Sequence, residues 1–160
     1  HSSISHSGFY WVYYSAHQIH LARSPISAGG RPGTWHKYYR GEFSEPGISG
    51  ESSPLISMPG GNPSVSYNRF LRRYVMVFQP WGDNRNNIAF ATSIDGIDWS
   101  DPQIILRNNG TSRYRYASII SNRGDKESGK KAWLYYGFWM DKTINQRKLM
   151  RQRIRFTEAM

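Results

Sequence analysis

Apolar positions along this chain fall in short runs, and several runs alternate with a period of two. In Arg73–Pro80, Tyr74, Met76 and Phe78 point to one side of an extended segment, and Val75, Val77 and Gln79 to the other. Runs of this kind, rich in aromatic and β-branched residues and bounded by turn formers, predict strands. Ten are predicted: Phe9–Ser15, Ile19–Ser24, Trp35–Arg40, Pro63–Tyr67, Arg73–Pro80, Ile88–Ser93, Gln103–Leu106, Tyr114–Ser121, Lys131–Met140 and Lys148–Phe156. Gly41–Gly61, dominated by Gly, Ser, Glu and Pro, reads as a long loop. Helix signals are nearly absent.

The strands repeat. FYWVYYS (9–15), RYVMVFQ (73–79) and AWLYYGF (132–138) are one kind of aromatic-rich unit, and each precedes a shorter strand, IHLARS, IAFATS or KLMRQR. The spacing is that of a propeller blade, about 40–50 residues for four antiparallel strands. The predicted fold is therefore all-β: antiparallel four-stranded blades, about three of them, in a single domain spanning 1–160. The blade units are about 1–41, 62–106 and 113–156. The middle unit shows all four strands. The first lacks a clear innermost strand, for which His1–Gly8 is an irregular substitute, and the last shows the inner three. Propellers need four or more blades to close. Three blades imply a fragment, a half ring completed by a homodimer, or a different compact β fold. An open blade edge favours pairing with another chain, and symmetric dimers are the commonest assemblies.

Composition narrows the functional classes. A chain of 160 residues with 38% hydrophobic and 15% aromatic residues has the length and content for one folded core. No apolar run approaches the roughly 20 residues of a membrane-spanning helix, so no membrane partner is expected. The absence of cysteine removes disulfides, thiolate nucleophiles and cysteine-ligated metals. The 21 Lys and Arg against 11 Asp and Glu leave a formal charge of +10, which attracts nucleic acid, acidic polysaccharide or anionic surfaces. Arg151, Arg153 and Arg155 alternate and so share one strand face. Arg113-Tyr114-Arg115-Tyr116 mixes the same charge with aromatics, the chemistry of polyanion contacts. His17 and His20 are not spaced to share a strand face, and neither a zinc motif nor a calcium loop appears, so no metal or other cofactor is expected.

The residues of the middle unit resemble a known family. Asn62-Pro63-Ser64-Val65, then Tyr67–Phe78, then Ile88–Pro102 look like one blade of the five-bladed β-propeller glycoside hydrolases, glycoside hydrolase family 43 and its relatives. Trp35–Gly47 is similar to uncharacterised secreted proteins of this kind, which implies a secreted or extracytoplasmic location. Ser93-Ile94-Asp95-Gly96-Ile97-Asp98-Trp99 resembles the Asp-box of sialidases, one residue shorter, and reads as a structural hairpin turn.

The resemblance also implies where function lies. One end of a propeller collects the starts of the innermost strands and the loops 15–18, 41–62, 80–87, 107–113 and 140–147. Glycosidases need a pair of carboxyl groups there. The position of the family's second-blade Asp is Asn62, an amide that cannot titrate. The general-acid position falls at Arg115-Tyr116-Ala117, and His1–Gly8 contains no acid. The function expected is carbohydrate binding, with Asn62, Trp81, Asp83, Arg115, Trp139 and Asp141 shaping the site and acidic sugars suggested by the charge. Trp81 and Trp139 supply indole faces for sugar stacking. An active glycosidase completed by a second chain is the alternative, with Glu51 as its acid candidate. A basic nucleic-acid- or polyanion-binding module is the second alternative.

Overall fold

The structure, a computed structural model, describes residues 1–140 and 147–158. Its strands are β1 (Ser2–His6), β2 (Phe9–Ala16), β3 (Gln18–Pro25), β4 (His36–Tyr39), β5 (Glu42–Pro46), β6 (Gly60–Asn68), β7 (Arg73–Pro80), β8 (Ile88–Ser93), β9 (Gln103–Leu106), β10 (Ser112–Ile120), β11 (Glu127–Ser128), β12 (Lys131–Met140) and β13 (Arg147–Arg155). Among the described residues, helix is confined to two single 3-10 turns, at Ile26–Ala28 and Gly82–Asn84. The fold is all-β, as the alternation predicts.

Three antiparallel sheets follow one another along the chain. The first runs β1-β2-β3-β4-β5, the second β6-β7-β8-β9, and the third β10-β12-β13. The short β11 adds to the second sheet in parallel beside β6. All ten predicted strands are present within a few residues. Three features depart from the prediction. β1 is regular rather than irregular, and pairs with β2 through a two-residue turn at Ser7-Gly8, both at positive φ. β5 lies inside the predicted loop, because Arg40 (φ 47°) and Gly41 (φ 95°) form a tight hairpin that returns the chain against β4. The parallel β11 is also new, placed by its own contacts to β6 and not by any apolar pattern.

The middle sheet is packed on both faces. Tyr74, Met76 and Phe78 join Trp11, Tyr13, Ile19 and Leu21 of the first sheet in one core. Val75 and Val77 join Ile119, Leu134 and Tyr136 of the third sheet in another. The two sides read from the alternation of β7 are thus the two sides of the molecule's interior. The stretch 55–58 closes the first core from one end: Ile56 is buried in it, and the Leu55 N–H donates to the Ile19 carbonyl at 2.8 Å.

The Ser93–Trp99 turn serves this packing. The Asp95 carboxylate accepts from the Ser93 hydroxyl and from the Ile97 and Asp98 N–H groups, each at 2.9 Å. Tyr13 Oη and Trp99 Nε1 both donate to the Gly96 carbonyl, tying the turn to the first sheet. Partial burial would raise the Asp95 pKa, but these donors outweigh it and hold it below the usual carboxyl value. A carboxyl whose folded pKa is depressed stabilises fully above its unfolded value of about 3.9 and less as pH falls through the folded one. Asp95→Asn should cost about 1 kcal/mol at neutral pH, the usual worth of an Asp that accepts local backbone N–H groups. In urea titrations the gap between variant and parent should narrow on acidification; a pH-independent gap would show that the charge contributes nothing.

Candidate functional site

The first strands of the three sheets in chain order, here called the inner strands, stand side by side, with β6 between β1 and β10. Short polar contacts join them. The Val65 N–H donates to Ser2 Oγ at 3.0 Å, and Ser64 Oγ and Ser118 Oγ are 3.0 Å apart. These serines occupy one position of the repeat: Ser2 pairs with Tyr13 of β2, Ser64 with Val77 of β7, and Ser118 with Tyr135 of β12.

Just before Ser64 and Ser118 the inner strands bulge in the same way. Asn62 and Pro63 together face Phe78, between the pairs Gly61–Gln79 and Ser64–Val77. Tyr116 and Ala117 together face Tyr136, between Arg115–Gly137 and Ser118–Tyr135. The first residue of each bulge is left-handed, Asn62 at φ 51° and Tyr116 at φ 53°. Asparagine tolerates that region and tyrosine does not, so Tyr116 stores backbone strain while remaining 64% exposed. Bulges re-aim side chains and concentrate near binding sites. Here both line an open groove of about 500 Å³ with His1, Ser3, Asp125 and Lys126.

The same register places the tryptophans. Four residues beyond the serine's partner stand His17 after Tyr13, Trp81 after Val77 and Trp139 after Tyr135. Trp81 is half-buried, 5.7 Å from the His17 ring, and lies against Gly61, where a Cβ would come within 2.8 Å of Cζ2. Trp139 lies against Gly137 in the same manner, with 2.7 Å to a Cβ there, and its ring is 6.0 Å from Tyr116. Each bulge is therefore accompanied by an indole seated on a glycine.

A second recess of about 510 Å³ opens between the second and third sheets, lined by Arg85, Asn86, Thr111, Ser112, Arg113 and Arg115. Arg115 Nη2 donates to Asn86 Oδ1 at 3.3 Å, and the Tyr114 N–H donates to the Asn86 carbonyl. Asn109 Oδ1 accepts from Thr111 and Ser112 and shapes the rim. Among the described residues the ion pairs are Arg69–Glu127, Arg123–Glu127 and Lys126–Asp125, all on or beside β11, the last of them in the groove of Asn62 and Tyr116. Arg85, Arg113 and Arg115 enter none of them. A polar recess lined by three arginines suits a carboxylate, sulfate or phosphate.

The sequence-predicted residues divide. Asn62 and Trp81 meet at the junction of the first and second sheets, where the Asn62 N–H donates to Ser15 Oγ. Arg115 and Trp139 meet at the edge of the third. Asp83 is exposed in the 82–84 turn beside Trp81. Glu51 belongs elsewhere: its N–H donates to Glu45 Oε2 of β5, at the outer edge of the first sheet, and it is exposed. Asp141 lies outside the described residues. The sequence reading missed Tyr116, Arg85 and the serine row. The serine row and His17 emerge only from the ladder register, because the sequence repeat aligns Tyr13 and Val77 with Tyr136, one residue beyond the Tyr135 that pairs with Ser118. Nothing in the sequence marks Tyr116 as left-handed. No group of three or more metal-ligating side chains comes together among the described residues. Another groove, about 860 Å³, lies at the far end of β7 and is walled chiefly by Phe70, Leu71, Phe90, Ile119, Ile154 and Phe156, which close the second core.

Comparison with protein-family models finds none that matches the chain, and comparison with curated proteins finds no relative.

The strain at Tyr116 is testable. Tyr116→Gly should leave stability unchanged or raise it by up to about 1 kcal/mol, whereas Tyr116→Val should cost about 1–2 kcal/mol. Equal urea midpoints for the two variants would place Tyr116 in an ordinary conformation.

Proposed function

We propose that the three sheets are blades of a β-propeller of the glycoside-hydrolase type and that the chain binds carbohydrate, with acidic sugars preferred. The observation that supports this best is the pair of matched bulges with their indoles, Asn62 with Trp81 and Tyr116 with Trp139, beside the recess of Arg85, Arg113 and Arg115. Apolar sugar faces would stack on the indoles. The Asn62 amide and the serine hydroxyls would bond sugar hydroxyl groups, and Arg115 would take a carboxylate as a planar fork. The register runs from β1 through β6 to β10 as consecutive blades would, each sheet beginning at the axis.

Cleavage is not part of this reading. Asn62 can accept and donate hydrogen bonds but cannot exchange a proton, and Arg115-Tyr116-Ala117 offers no acid. Glu51, on the outer edge of the first sheet, would act only if a second chain approached it.

Titration calorimetry with a short oligogalacturonate tests the proposal. Binding should be stronger than to the matched neutral oligosaccharide, and no new reducing ends should appear. Arg115→Gln or Trp81→Ala should each weaken binding roughly tenfold or more, since a charge-assisted bond or a stacked indole is worth about 1.5 kcal/mol or above. Equal affinity for neutral and acidic sugars, or hydrolysis, would overturn the reading.

A further inference from the structure

The third sheet has two unlike faces. Ala132, Leu134, Tyr136 and Phe138 turn inward to the second core. The alternate residues of β12, Trp133, Tyr135 and Trp139, turn outward. Across the ladder, Trp133 pairs with Arg153, Tyr135 with Arg151 and Trp139 with Arg147. Opposed residues share a face, so the outward surface is an alternation of aromatic rings and guanidinium groups. The contacts are made: Arg151 and Arg153 lie 4.7 and 5.2 Å from the Trp133 ring, and Arg147 lies 5.5 Å from the Trp139 ring.

Charge on this sheet has one sign. β10 carries Arg113 and Arg115, β12 carries Lys131, and β13 carries Arg147, Lys148, Arg151, Arg153 and Arg155; none of the three strands contains Asp or Glu. β13 is exposed along almost its whole length. From Trp133 to Trp139 the face runs six residues, about 20 Å at strand rise, and its upper end meets Arg113 and Arg115 of the recess already described.

The geometry points to a second binding surface, on the outward face of β12 and β13, for an extended acidic polysaccharide chain whose carboxylates or sulfates are held by Arg147, Arg151 and Arg153. It rests on the carbohydrate reading and extends it, from the Trp139 end of that site along the outward face to Trp133. A second copy of this chain is disfavoured as the occupant, because like charge would meet like across such a contact. Single-stranded nucleic acid is disfavoured because it needs bare rings for its bases. Here two guanidinium groups, those of Arg151 and Arg153, already lie over the Trp133 ring. The surface therefore offers planar forks for anionic groups rather than free aromatic platforms.

The test compares the full chain with Arg151→Gln/Arg153→Gln and Arg151→Lys/Arg153→Lys for binding of dextran sulfate, neutral dextran and a single-stranded DNA of equal charge. The parent should bind dextran sulfate, lose affinity as salt rises, ignore neutral dextran and bind the single-stranded DNA more weakly. The glutamine variant should bind dextran sulfate roughly tenfold or more weakly, from the loss of two charge-assisted contacts. The lysine variant should recover only part of that loss, because lysine keeps the charge but not the fork. Unchanged binding in the glutamine variant, full recovery with lysine, or equal binding of the single-stranded DNA would overturn the proposal. So would a parent dimer that the glutamine variant dissociates, since a second copy would then cover the face. Short oligogalacturonate separates the two readings: its binding depends on Arg115 and not on Arg151 or Arg153. Loss of that binding alone would count against the recess and leave the outward face standing.

Discussion

Strand β7 is buried on both faces, and the rest of the molecule is arranged around that constraint. Tyr74 through Pro80 are all buried, with Val75 to Phe78 fully so. A strand with two apolar faces needs a sheet on each side. The first sheet covers Tyr74, Met76 and Phe78, and the third covers Val75 and Val77. Close packing on both sides leaves little freedom in the spacing of the three sheets. It also brings their innermost strands together, so that Ser2, Ser64 and Ser118 come to one row.

The candidate site is a consequence of that row. Each bulge inserts one extra residue just before a serine and turns a side chain out of the ladder. The tight pairing on either side holds Asn62 and Tyr116 in left-handed conformations that isolated residues would leave. Burial of the flanking strands sustains this strain, and the chain gains two side chains aimed into the same groove. The indoles of Trp81 and Trp139 stand at matching positions because each lies four residues beyond the partner of its serine in the ladder.

Much of this was legible in the sequence. The period-two alternation of 73–80 separated the two sides of β7 that the structure buries, and Asn62 was singled out by the resemblance as an amide at a carboxylate position. What the sequence did not carry was polar or conformational. β5 escaped because a strand with Phe43 as its sole large apolar residue has no hydrophobic signature; only the Arg40-Gly41 hairpin makes it. Tyr116 escaped because its backbone is set by tertiary pairing against its own preference. Glu51 was drawn toward the site by its place in a long loop, whereas the β4–β5 hairpin holds that loop at the outer edge. The one-signed third sheet was half visible, since the alternation of Arg151 and Arg153 could be read but their stacking on Trp133 needed the ladder register.

The central claim is that the end of the molecule where the inner strands bulge is a sugar-binding surface. Indole N–H resonances report on it directly, because the six tryptophans are distributed over distinct environments. Trp11 is buried in the first core, Trp99 is bonded to the Asp95 turn, and Trp35 donates to the Gly30 carbonyl. Titration with a short oligogalacturonate, followed by two-dimensional NMR, should shift Trp81 and Trp139 progressively and leave Trp11, Trp35 and Trp99 in place. Shifts confined to Trp133, or no shift at any indole at saturating sugar, would contradict the account.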